Sequence, residues 1–95
     1  MKGYVVCVYK SISNEEKLKE YAAKARTVVE KYKGKFIIRG GRAKTKEGDV
    51  VPRTVIIEFP SFDEANQFYN SIEYQDAHSI LKGYVKRHFQ IVEGY

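Results

Sequence analysis

The chain has a single cysteine, no tryptophan and only two prolines among its 95 residues. One thiol cannot form an intrachain disulfide, which fits a reducing compartment. Cys7 also lies inside an apolar run, so it reads as a buried, unreactive side chain. Long hydrophobic runs are missing too. The apolar stretch after Met1-Lys2-Gly3 stops at Lys10 and has no small-residue cleavage site. That is too short for a membrane span, and the expectation is a soluble cytoplasmic protein with no membrane partner. No His-x-His, Cys-x-x-Cys or carboxylate–histidine cluster has metal-ligand spacing. Gly40-Gly41 lacks the spacing and the following helix of a phosphate loop, and no Ser-His-Asp order assembles. The sequence therefore leads one to expect no metal and no cofactor.

Charge of one sign is in excess, with a formal net charge of +5, but it is not concentrated. Glu15, Glu16, Lys17, Lys19 and Glu20 alternate in sign along the first helical stretch. The densest basic cluster, Lys31, Lys33 and Lys35, is flanked only by Tyr32 and Phe36. A mixed, solvated surface accounts for these charges, so nucleic acid is not an expected partner.

Apolar residues make up 43% of the chain, and eight tyrosines dominate the aromatics. Residues 1–95 suit one domain. A domain of this size buries roughly 60–70% of its unfolded surface, so a second subunit would help. Residues 4–9 are apolar on both faces, as in a strand covered on both sides. Ser13-Asn14-Glu15-Glu16 reads as a capping box, with Leu18, Tyr21, Ala22, Ala25, Val28, Val29 and Tyr32 forming one helical stripe. Gly34 is expected as its left-handed cap.

Lys35–Arg39 predicts a second strand with a bend or bulge at Gly40-Gly41, and Thr45–Pro52 a hairpin loop. Thr54–Phe59 predicts a third strand, ended by Pro60. Ser61–Glu64 is a second capping box, and Ser71 starts a further short turn after a break at Asn70-Ser71. A last strand is expected over about Tyr84–Val92. The order strand, helix, strand, strand, helix, strand is the split β-α-β, ferredoxin-like α+β arrangement around a four-stranded antiparallel sheet. Strict alternation would put Arg39 beside Ile37, opposite Phe36 and Ile38, and would align Lys86, His88, Gln90 and Val92 on one face of the last strand.

The segments Arg39-Gly40-Gly41, Glu58-Phe59-Pro60-Ser61 and Tyr69-Asn70-Ser71-x-x-Tyr74-Gln75 are distinctive. With the opening Lys2-Gly3-Tyr4 and closing Val92-Glu93-Gly94, the whole chain resembles the domain-of-unknown-function 1330 family. That resemblance implies a dimeric α+β barrel, a homodimer packed sheet against sheet. Its superfamily spans cofactor-independent oxygenases, isomerases, haem-handling proteins and proteins of unknown role. Where family members often carry Arg just after the second helix, this chain has Lys82, which keeps the charge but loses the bidentate fork.

The candidate site follows from residue chemistry. Arg39 could clamp a carboxylate, or pair with Glu58 on the neighbouring strand. Glu58 and His88 are the candidate catalytic acid–base groups; a carboxyl in a partly dry cavity would titrate high. The plainer readings are an ion pair for Glu58 and a surface role for His88, with His78 on the second helical segment treated alike. Tyr69, Ser71 and Tyr74 cluster at the helix break, where their hydroxyls could orient a ligand. Ser71 is equally a good N-cap, and tyrosines at this spacing usually pack. The expected function is binding of a small, acidic organic molecule in the barrel cavity, with cofactor-independent oxygenation or isomerisation as its chemistry. The alternative is a non-catalytic dimeric assembly module. The motivating expectation is that Arg39, Glu58 and His88 share one sheet face.

Overall fold

The computed structural model describes residues 1–95. β1 (Gly3–Ile12) leads into α1 (Glu15–Lys31), followed by β2 (Lys35–Arg39) and β3 (Arg53–Phe59). Two short helices, α2 (Phe62–Asn70) and α3 (Ile72–Ser79), precede β4 (Val85–Glu93). The four strands form one antiparallel sheet in the order β2-β3-β1-β4. This is the expected split β-α-β arrangement, with its second helix broken in two. No helix is long and apolar enough to cross a membrane.

The helices lie on one face. β1 sends Val5, Cys7 and Tyr9 toward them, and β3 sends Val55, Ile57 and Phe59. The fully buried Phe68 and Tyr74 answer from α2 and α3. Phe68 packs its ring 5.0 Å from Phe59 and 4.6 Å from Tyr74, within the range of favourable aromatic pairs.

Local signals set the helix ends, though not always at the expected residue. Asn14 caps α1, accepting from the Lys17 amide at 3.0 Å. Ser13 is not the cap; its backbone and side chain both bond the Tyr84 carbonyl and tie the start of α1 to the start of β4. At the far end the left-handed residue is Lys33, at φ 63°, and not Gly34. Gly34 is needed for space, since a Cβ there would lie 2.7 Å from both Phe59 and Val29. Ser61 caps α2 and Ser71 caps α3 as expected.

β2 departs from strict alternation. Phe36 pairs with Ile57, yet Ile38 pairs with Ile56, so Ile37 is the extra residue of a bulge. The chain does bend at Gly40-Gly41, with φ of 73° and 90°, but the bulge sits three residues earlier. A one-residue slip swaps faces, so Arg39, opposite Val55, stands on the helix side of the sheet.

Candidate functional site

α2 lies close against β1, β3 and β4, whereas the backbone of α1 stands farther from the sheet. The long side chains of Tyr9, Tyr21 and Arg87 span the resulting gap, and between them remains a cavity of about 40 Å³. Its wall is mostly apolar, including Val5, Val29, Phe68 and Phe89, and its charged lining consists of Arg39, Arg53 and Arg87.

Arg87 is central. β4 alternates Val85, Arg87, Phe89 and Ile91 toward the helices, so an arginine occupies a core-facing position. Its Nη2 donates to the Tyr74 hydroxyl at 2.7 Å. Its Nη1 lies 3.3 Å from the Tyr21 hydroxyl, 3.4 Å from that of Tyr9 and 3.7 Å from the Cys7 sulfur. The guanidinium also lies 4.7 Å from the Phe89 ring centre, an arrangement that favours a cation.

No carboxylate neutralises this charge: the chain's ion pairs involve neither Arg87, Arg39 nor Arg53. The neighbours do not supply an anion either. Burial pushes the Tyr74 hydroxyl well above the ordinary phenol range, Tyr21 adds to the rise, and Arg87 opposes it. Burial likewise raises Tyr9 and Cys7 against the pull of Arg87. The Tyr9 and Tyr74 phenols and the Cys7 thiol remain neutral, and Arg87 stays positive because guanidinium does not deprotonate in proteins. The cavity therefore offers several hydrogen-bond donors and uncompensated positive charge on an apolar wall, the pattern that holds an organic anion.

The candidates from the sequence separate into three groups. Arg39 lines the cavity, its guanidinium 4.3 Å from the Phe36 ring centre and 3.5 Å from the Ala22 carbonyl. Tyr74 is fully buried, one hydrogen bond behind the cavity on Arg87. Glu58 and His88 face away on the open side of the sheet. Glu58 lies 3.8 Å from the Lys2 amine and 3.4 Å from the Tyr4 hydroxyl, so the Arg39–Glu58 pair does not form. His88 meets only Gln90, at 3.3 Å. Arg39, Glu58 and His88 thus do not share a face, because the Ile37 bulge turns Arg39 over. Ser71 serves the helix break, bonding the Phe68 carbonyl and the Tyr74 amide. Tyr69 packs between Tyr74 and Phe89, 5.3 and 5.0 Å from their ring centres. Lys82 is exposed beyond α3.

Arg87, Tyr9 and Tyr21 were not among the sequence candidates for binding. The parity that aligned Lys86, His88, Gln90 and Val92 left Arg87 with Phe89 and Ile91, and a charge on the apolar side of a strand was the available signal.

His78 backs the cluster, its ring stacked 5.8 Å from that of Tyr74. Burial first, and then the Arg87 charge, lower its pKa from the ordinary 6.5. A histidine depressed on folding contributes stability above its unfolded pKa and loses it as pH falls through the folded value. Stability should therefore drop from about pH 7 to about pH 5 by more in the wild type than in His78→Asn. Equal slopes in parallel urea titrations would remove His78 from that account.

Solved structures similar to this chain establish the fold. One is a protein of unknown function from Rhodopseudomonas palustris, at 14% identity and TM-score 0.78, covering 99% of this chain and 82% of that one. A dimeric ferredoxin-like protein of unknown function from Jannaschia sp. CCS1 superposes with TM-score 0.79 at 12% identity, over 99% of this chain and 100% of its own. SnoaB, a cofactor-independent oxygenase from Streptomyces nogalater, is 6% identical with TM-score 0.66, covering 99% of this chain and 93% of that chain. No functionally curated protein matches the chain. The family model for the domain of unknown function DUF1330 matches residues 2–95, and the chain belongs to that family.

Proposed function

We propose that this protein binds a small organic carboxylate in the cavity between α1 and the sheet, with Arg87 holding the anionic group and Arg39 and Arg53 at the rim. The observation that carries this reading is a core-facing arginine without a carboxylate partner, beside a cavity whose other charged side chains are also arginines. An uncompensated charge in low dielectric is costly, and an anion arriving there recovers that cost. Apolar walls accept the ligand's carbon skeleton. Among the lining side chains there is no histidine, aspartate or glutamate to serve as a general base. Binding and oxyanion stabilisation therefore fit better than proton abstraction, and Glu58 and His88 have no part in this site. The oxygenase activity of SnoaB belongs to a 6% identical protein and carries little weight here.

The test is thermal stabilisation by a series of monocarboxylates, each matched against its amide. Acids should raise the melting temperature in proportion to their excess over Kd, and amides should not. Equal response to both would end the carboxylate reading.

We infer also that two copies pair through the open sheet face. Tyr4, Val6, Val8 and Ile56 on that face are only half-buried in the single chain. The Cα atoms span 30 × 30 × 17 Å, so the broad face is on the order of 900 Å², close to the ~800 Å² each partner gives to a standard interface. Similar folds from Bacteroides fragilis and Jannaschia are described as dimeric. Sedimentation at micromolar concentration should give twice the chain mass, and Val6→Lys should return the monomer. A monomeric wild type would refute the pairing.

A further inference from the structure

We propose that the cavity selects a 2-oxo carboxylate over the matching 2-hydroxy carboxylate, because the Tyr21 hydroxyl presents its proton to the cavity, where the ligand must supply the acceptor. This rests on the cavity being a carboxylate site, and it adds the group that should stand next to the carboxylate.

The direction of the proton follows from the hydrogen-bond order. A guanidinium only donates, so the Tyr74 hydroxyl accepts from Arg87 at 2.7 Å. Tyr74 and Tyr21 share a 2.8 Å bond in which either could donate. If Tyr21 donated, the Tyr74 proton would be left without an acceptor on a residue that is fully buried and does not line the cavity. Leaving a buried donor unpaired is disfavoured, so the order runs from Arg87 to Tyr74 to Tyr21. The Tyr21 oxygen then accepts from Tyr74 and from Arg87 Nη1 at 3.3 Å. Its own proton has no protein acceptor, although the residue is over nine-tenths buried and lines the cavity. The Tyr9 hydroxyl, also on the cavity wall, accepts from Arg87 Nη1 at 3.4 Å.

The polar side chains facing a ligand are thus donors: Arg39, Arg53, Arg87, Tyr21 and Tyr9. A 2-oxo acid brings acceptors only, its carboxylate for the arginines and its carbonyl oxygen for Tyr21. A 2-hydroxy acid of the same size brings a proton that meets other donors, and sites built this way discriminate strongly. A cavity of about 40 Å³ has room for roughly three waters, which limits the ligand to the smallest acids.

Calorimetric titration with propionate, pyruvate and lactate tests the proposal. Pyruvate should bind the wild type at least about tenfold more tightly than lactate. In Tyr21→Phe, which keeps the ring, that ratio should collapse, and the readout is the ratio of the two acids and not the absolute affinity of either. Equal affinities for pyruvate and lactate in the wild type, or a preference that survives Tyr21→Phe, would overturn it. The wild-type ratio stands alone as a test should the variant fold poorly. Propionate separates the two failures. If it binds while pyruvate and lactate do not differ, only the selectivity is wrong; if none of the three acids binds, the carboxylate site itself falls.

Discussion

Arg87→Met is expected to abolish carboxylate-dependent stabilisation while the ligand-free protein melts no lower than the wild type. The two halves have one cause. Methionine supplies a flexible apolar chain of similar length, which can lie against Phe89 and the cavity wall. It removes a charge that has no carboxylate partner, and replacing buried ionic groups by packed apolar ones is often neutral or stabilising by ~1–4 kcal/mol. Lost bonds from Arg87 to Tyr74 and Tyr21 offset part of this, but the two hydroxyls keep each other at 2.8 Å. The net expectation is a gain of about 0–1 kcal/mol, or up to roughly 8 °C in melting temperature. With the charge gone, acid affinity should fall at least about tenfold. Thermal melts with and without propionate read both halves. A loss of more than about 2 kcal/mol in the ligand-free variant would show that Arg87 is held for structure instead.

Phe68→Ala should be the most damaging single truncation, costing about 3–5 kcal/mol. Phe68 is 1% exposed, and its ring meets Phe59, Tyr74 and Tyr32 while also lining the cavity. Removing it takes away the aromatic floor shared by α1, α2 and the sheet. For a chain of this length that loss lowers the melting temperature by roughly 15 °C or more. Urea unfolding followed by tyrosine fluorescence measures it, and a loss below about 1.5 kcal/mol would mean that the neighbouring rings collapse into the space. Where the variant remains folded, the enlarged cavity should accept benzoate, which the wild type excludes for want of room.

The fold was readable because its signals are local. Period-two and period-three-to-four patterns identified the strands and helices, and Ser71 marked the break that separates α2 from α3. Helix caps were less secure. Ser13 and Asn14 are both good capping residues, and a contact seventy-one positions away, with Tyr84, takes Ser13 out of the competition. Gly34 was expected for its backbone freedom but serves by leaving room for Phe59.

The site was less readable, and particular residues show why. Arg39 was recognised, but its face was misassigned, since a single bulge at Ile37 reverses everything after it on β2. A bulge is a matter of register with β3 and leaves no necessary mark in β2 itself. Tyr74 was a candidate to orient a ligand with its hydroxyl, and the structure buries it against Arg87 instead.

By itself, then, the sequence determined the elements, their order, and the faces of β3 and β4, because periodicity and capping act within a few residues of chain. Tertiary structure decided where Arg39 points, that α1 stands off the sheet, and that Tyr9, Tyr21 and Tyr74 converge on Arg87 from three separate elements. Those facts depend on pairing register and on the spacing of packed layers, which arise only when distant segments meet.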